Sequence, residues 1–212
     1  MIGRKAVIGL TVLCALLVSA FAAQAASAVG TTAYTCKGVT AGTGTFKAGH
    51  CKPGDAGTGN FSHVSIANGT STEITGSDLN TAGEHTGAIL KSTVSGSAVE
   101  LVAKEISGTG TMSNSLNGAE MVASGEGAIK YSGVTEKLLG CKVTGKPGGA
   151  GVVETKQLFA TTKEVGDKLK FTPKEGTVFA EFELTECAVG PTTVKVVGSV
   201  LGVPDGATTN TT

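Results

Sequence analysis

Over residues 177–184 the chain reads T-V-F-A-E-F-E-L. In strand register Val178, Ala180, Phe182 and Leu184 fall on one face, and Thr177, Phe179, Glu181 and Glu183 on the other. Apolar and polar positions alternating with a period of two predict a strand with one buried face. The run belongs to a longer stretch, Cys141 to Cys187, which reads as three or four β-rich segments: GCKVTG, GVVETKQLFATTKE and GDKLKFTPKEGTVFAEFELTEC. This stretch reads as a strand meander whose ends two cysteines could lock, with Phe159, Phe171 and Phe182 as expected core residues.

The same rhythm runs through the rest of the chain. Strands are expected around Ala33–Cys36 and Gly44–Lys47. Phe61–Ile66 and Thr70–Thr75 flank Asn68-Gly69, a two-residue hairpin signal because both positions tolerate positive φ. Gly76–Thr86 is polar and reads as a loop. Ala88–Val94 and Ala98–Ile106 flank Ser95-Gly96-Ser97, and Thr111–Leu116 and Ala119–Ser124 flank Asn117-Gly118. Gly127–Val134 and Thr193–Val200 are further strands. Turn signals every eight to twelve residues or so are the spacing of a sandwich or barrel. Val134–Leu139, between glycines, is the nearest approach to an amphipathic helix and is too short to be one. The expected fold is all-β: an antiparallel β-sandwich or open barrel of short strands and tight Gly turns.

Composition agrees with that pattern. The 212 residues include 32 Gly and 30 Thr, which favour short strands and tight turns over helices. Aromatic residues make up 4% and Trp is absent, which weighs against a ring-stacking sugar cleft. Lys plus Arg equals Asp plus Glu, and no basic patch suited to phosphates is visible, so nucleic acid is not an expected partner.

The first residues change the compartment. Arg4 and Lys5 precede an uncharged, mostly apolar run from Ala6 to Ala23, then Gln24-Ala25-Ala26-Ser27-Ala28. A positive start, an apolar middle and A-x-A spacing describe a secretory signal peptide, cleaved after Ala25 or Ala28. An uncleaved anchor is the competing reading. The Ala-rich exit and the absence of a charged stop favour cleavage, and no second span follows. Cys14 follows Leu13, where lipidation would want a small residue. The expected organisation is a signal peptide over 1–28, a single all-β domain over 29–202, and a disordered or truncated tail over 203–212. The protein is expected to be secreted or held at the cell surface.

Removing the leader leaves Cys36, Cys51, Cys141 and Cys187. An even count in an exported chain predicts two disulfides with three possible connectivities, of which sequence neighbours, Cys36–Cys51 and Cys141–Cys187, are preferred. Zinc is the alternative, but no C-x-x-C occurs and His50, His63 and His85 lack ligand spacing. No metal or cofactor is expected.

Three motifs carry candidate chemistry. Gly140-Cys141-Lys142-Val143-Thr144-Gly145-Lys146 follows a phosphate-binding loop up to its last position. There Pro147 replaces the required Ser or Thr, and Pro-Gly-Gly cannot open the helix such a loop needs. Glu181 and Glu183, two apart on a strand, point the same way, roughly 6.5–7 Å apart at the backbone. With Glu186 they could serve glycoside hydrolysis. The segment loosely resembles the E-x-D-x-x-E signature of jelly-roll β-glucanases, with Glu183 where that family has Asp. The alternative is a solvent-facing strand surface with Lys142, Lys156 or Lys170 as cross-strand partners. No G-x-S-x-G is present, and no His has a triad-like context. Asn60, Asn68 and Asn210 begin formal glycosylation sequons.

From Tyr34-Thr35-Cys36 onward, four pieces occur in order: YTCKGV with FKAGHCK, EITGSDLNTAGE, KLKFTPKEGTVFAEFELTEC and VVGSVLGVPDGATTN. In these the chain resembles a group of uncharacterised secreted β-rich proteins from soil actinobacteria. The resemblance implies export and a β-rich fold. Members continue past the D-G-A-T-T-N segment with further strand-forming sequence, which implies a shortened C-terminus here. The function expected from all of this is a secreted, non-enzymatic surface, matrix or binding module with an extracellular partner, an inhibitor or adhesin differing only in that partner. A secreted polysaccharide hydrolase using Glu181 and Glu183 is the alternative.

Overall fold

The computed structural model of the chain describes residues 32–49, 51, 56–78, 84–94, 96–117, 120–162, 169–187 and 190–202. The expected signal peptide (1–28) with Cys14, His50 and the expected tail (203–212) lie outside the described residues. Among those residues every regular element is a strand.

β1 (Tyr34–Gly38), β2 (Gly44–Phe46), β3 (Ala56–Gly59) and β4 (Phe61–Ser65) make an antiparallel sheet in the order β1-β4-β2-β3. A disulfide joins Cys36 to Cys51 with Cα atoms 5.7 Å apart. The Asn68-Gly69 hairpin expected from sequence does not form. β4 is already bonded on both sides, by β1 and β2, while β5 (Ser71–Ser77) pairs with β8 (Glu105–Asn117). The turn, closed by Thr70 N–H donating to the Ala67 carbonyl at 3.0 Å, therefore passes the chain from one sheet to another.

β6 (Ala88–Val94) and β7 (Ser97–Ala103) form a hairpin with Val94 opposite Ser97, so its turn is two residues, not the three expected. β8 and β9 (Glu120–Ser132) pair along their whole length, from Glu105↔Ser132 to Asn117↔Glu120. The sequence pattern divides this region into shorter strands because glycines interrupt it. In the fold those glycines sit inside the ladder: Gly110 faces Gly127, and Gly125 faces Met112. Short strands are thus not the rule here.

The long hairpin turns a corner at its base. Val99, Leu101 and Ala103 are buried on β7, whereas Ile106, Met112 and Asn114 are buried on β8, so the inward set shifts from odd to even numbers across Lys104. Lys104 N–H donates to the Ser132 carbonyl at 3.0 Å. Gly133 takes φ +62° beside the Lys104 side chain, where a Cβ would press on it. Beyond the corner β10 (Thr135–Glu136) pairs with β7, giving a second sheet in the order β10-β7-β6. A strand pair that bends from one sheet into the next is how sandwiches make their corners.

The stretch between Cys141 and Cys187 is not a single meander. β11 (Lys142–Gly145), β12 (Gly149–Ala150), β16 (Val178–Thr185) and β17 (Thr192–Val197) form one sheet, ordered β12-β11-β16-β17. β13 (Val152–Glu154), β14 (Leu158–Thr161) and β15 (Leu169–Pro173) join the β8–β9 sheet instead, with β18 (Val200–Gly202) on its edge. The long flank of β9 offers more backbone partners than one strand can use, and it takes both β13 and β14. The expected strand Thr193–Val200 is likewise broken at Gly198, φ +108°, into β17 and β18 of different sheets.

The chain is an antiparallel β-sandwich, and among the described residues no sheet closes into a barrel. One contiguous core holds it together, drawing on three of the sheets and, beside the N-terminal sheet, on the flanking Ala33 and Ile66. Phe171, Phe182, Ile106, Ile129, Leu158, Leu169 and Leu184 are fully buried, each stabilising by about 2–3 kcal/mol relative to exposure. Two expectations fail. Phe159 is 37% exposed, because Leu158 and Ala160 on either side of it take the inward face of β14. Phe179, expected outside, is buried next to Ala180, because the β16–β17 register shifts between Val178 and Ala180 and puts two successive side chains inward.

Candidate functional site

Glu181 and Glu183 lie on the outward face of β16, half-buried between the buried Ala180, Phe182 and Leu184. Glu183 stands opposite Thr144 on one side and Thr193 on the other, and Glu181 opposite Lys195. Lys146 Nζ lies 2.5 Å from Glu183 Oε1, and Lys142 Nζ lies 2.7 Å from Glu186 Oε2. The Glu183 carboxylate, as hydrogen-bond acceptor and counter-charge, raises the Lys146 ammonium above its ordinary pKa. Of the lysines expected to answer these carboxylates Lys142 pairs with Glu186, Lys170 lies in the other sheet on β15 opposite Thr161 and Leu201, and the lysine at Glu183 is Lys146, which was not expected there. Two of the three carboxylates, Glu183 and Glu186, are thus engaged in ion pairs with lysines of the neighbouring segment.

The loop-like Gly140–Lys146 segment folds as β11, and its Lys146–Pro147 peptide is cis, leading into β12 rather than a helix. Its backbone N–H groups are committed to a strand ladder with β16 and cannot converge on a phosphate. Cys141, at the start of this strand, is joined to Cys187 just past the end of β16, with Cα atoms 4.4 Å apart. His63 packs against Phe46 and Tyr34, with ring centroids 4.6 and 6.1 Å away, and burial pushes its pKa down. No group of three His, Cys, Asp or Glu suited to a metal ion occurs among the described residues.

Three buried polar residues that sequence reading passed over do the positioning. Asp78, just past the end of β5, accepts N–H groups from Gly87 at 2.6 Å and Ile106 at 3.1 Å, and its Oδ1 lies 2.5 Å from His85 Nδ1. Burial alone would raise its pKa; the His85 bond and the two backbone donors outweigh burial and hold it below the ordinary value. Glu136 is built the same way. It accepts N–H groups from Leu138 at 2.8 Å, Leu139 at 2.6 Å, Glu100 at 3.3 Å and Cys141 at 3.4 Å, and these overcome its desolvation. Asn114, on β8, receives the Ala33 N–H at 2.8 Å and donates to the Ala33 and Ile66 carbonyls at 2.8 and 2.9 Å. Each adds side-chain bonds to backbone near strand ends: Asp78 at Gly87 and Ile106, Glu136 at Glu100 and Leu138 to Cys141, and Asn114 at Ala33 and Ile66. The only sequence signal is a lone polar residue beside a β-rich run, which is not specific.

An apolar cavity of about 110 Å³ lies where three sheets meet. Leu90 and Leu101 enter it from β6 and β7, Tyr131 and Val200 from β9 and β18, and Phe179, Phe182 and Val196 from β16 and β17. Neither Glu181 nor Glu183 lines it. A larger, more polar cleft of about 520 Å³ lies outside it, between Lys156–Gln157 and Lys174–Val178, where Lys174 is already paired with Glu126 at 2.6 Å. Comparison with known proteins returned no matching family model, no matching curated protein and no matching solved structure.

Proposed function

We propose that the protein is a secreted or cell-surface, non-enzymatic β-sandwich that works outside the cell as a binding or matrix module. The observation that carries the reading is the closure of all four cysteines past the leader into two disulfides, one in the N-terminal sheet and one between β11 and the end of β16. Disulfides persist in oxidising compartments, which fits the leader expected over residues 1–28. The row of carboxylates supports the non-enzymatic part. Glu183 and Glu186 are each paired with a lysine and neither lines the apolar cavity, whereas paired hydrolytic carboxylates flank the bond they cleave.

Thiol titration of the exported protein under denaturing conditions tests the compartment. No reactive thiol is expected before reduction and four after it; free thiols before reduction overturn the reading. A screen on β-glucans and related polysaccharides tests the chemistry. No turnover is expected, and turnover that disappears in Glu181→Gln would establish the hydrolase instead.

A further inference from the structure

We infer that the cavity at the meeting of the three sheets is a binding site for a small uncharged hydrophobe, the size of one aromatic ring or a short branched alkyl chain. The inference rests on the reading of the chain as a binding module and gives that module its ligand class. Packed interiors contain few voids larger than a water molecule, and an unfilled void costs the contacts its walls would otherwise make. Apolar space of about 110 Å³ running inward from a mouth is therefore left unfilled by the chain's own side chains. Apart from the Tyr131 hydroxyl, its walls are side-chain carbon. Water gains no network of partners there, and apolar cavities of similar size stay dry and take up benzene or xenon.

The cavity has an inner wall and a mouth. Leu101, Tyr131, Val134, Phe179, Phe182 and Val200 are buried and form the inner wall. The lining residues that keep partial exposure are Ala88 and Leu90 on β6 and Val196 on β17. β6 and β17 are each the outermost strand of their sheet, so the entrance lies between two sheet edges. Ala88, Ala103 and Ala180 all line the cavity, and their small side chains leave its volume open. The chemistry of the walls sets the selectivity. A carboxylate or ammonium would lose its hydration with no charged group in the walls to replace it, whereas a hydrocarbon ring loses nothing polar on entry.

The test uses the exported protein with both disulfides intact and fluorobenzene as the probe, followed by fluorine NMR, with thermal unfolding in benzene as a second readout. Saturable fluorobenzene binding and a benzene-dependent rise in Tm are expected, and benzoate should give neither. Ala180→Leu fills the inner wall and Ala88→Phe plugs the mouth. Each should weaken fluorobenzene at least about tenfold. Ala88 is partly exposed, so Ala88→Phe keeps the test decisive if Ala180→Leu does not fold. Absence of saturable binding to the disulfide-intact protein, unchanged binding by folded Ala88→Phe, or equal binding of benzoate would each overturn the cavity assignment. None of these touches the extracellular reading, which stands or falls on the thiol titration.

Discussion

Asp78 and His85 show how one residue pair can make stability depend on pH. The Asp78 carboxyl is held below its ordinary value of 3.8, so its contribution is present above that value and lost as pH falls through the native one. His85 is raised above 6.5, chiefly by its bond to Asp78, so its contribution is complete below 6.5 and lost as pH rises through its native value. His63 has the opposite sign, since burial lowers its pKa and its neutral form is the one the fold favours. Comparing wild type with His85→Ala isolates the His85 effect. Urea midpoints measured between about pH 5 and 9 should show wild type losing its advantage over His85→Ala as His85 deprotonates. A constant difference across that range would show that the pair does not couple to folding.

Among the elements, the β8–β9 hairpin is the one on which the others are hung. It carries β5 on one flank and β13 and β14 on the other, and its base continues into the β10-β7-β6 sheet. Gly110 and Gly127 face each other in its middle, and a Cβ on either would meet the opposite backbone, Glu126 O from Gly110 and Thr109 O from Gly127. Neither obstacle is a flexible side chain that could step aside. Gly110→Val is expected to destabilise by about 3 kcal/mol or more, read as a fall in the denaturant midpoint, because the strands must separate to admit it. In an exposed strand interior the same change would gain β-propensity, so a neutral or stabilising result would refute the close approach. The sequence shows a glycine at this position. It does not show that the glycine faces another glycine.

For the whole molecule the question is how independently the N-terminal sheet behaves. Of its own segment it gives the shared core Ala33 and Ile66, and Asn114 fastens both to β8. Local cohesion comes from the Cys36–Cys51 bridge, which should stabilise by roughly 3 kcal/mol through loop closure. In Cys36→Ser/Cys51→Ser, hydrogen exchange should lose protection over β1 to β4 while β8 and β9 keep theirs. Uniform loss through β8 and β9 would show instead that the sheets unfold as one unit.

The sequence by itself determined the class of object. Period-two alternation in 177–184, Gly and Thr abundance and recurrent turn signals are local properties, and they specify strands wherever those strands end up. The β6–β7 and β8–β9 hairpins were legible because their partners are close in sequence, but their registers, Val94 with Ser97 and Asn117 with Glu120, each differ by one residue from the expected turns Ser95-Gly96-Ser97 and Asn117-Gly118. Which sheet a strand joins is not local. Asn68-Gly69 has hairpin chemistry, yet its flanks pair elsewhere because β1, β2 and β8 compete for them over long separations. The inward turn of Phe179, the outward turn of Phe159, the buried roles of Asp78, Asn114 and Glu136, and the cavity between two sheet edges exist only once three sheets are packed together. Side-chain pattern chooses the strand and its faces; competition for backbone edges and for a shared interior decides where that strand is used.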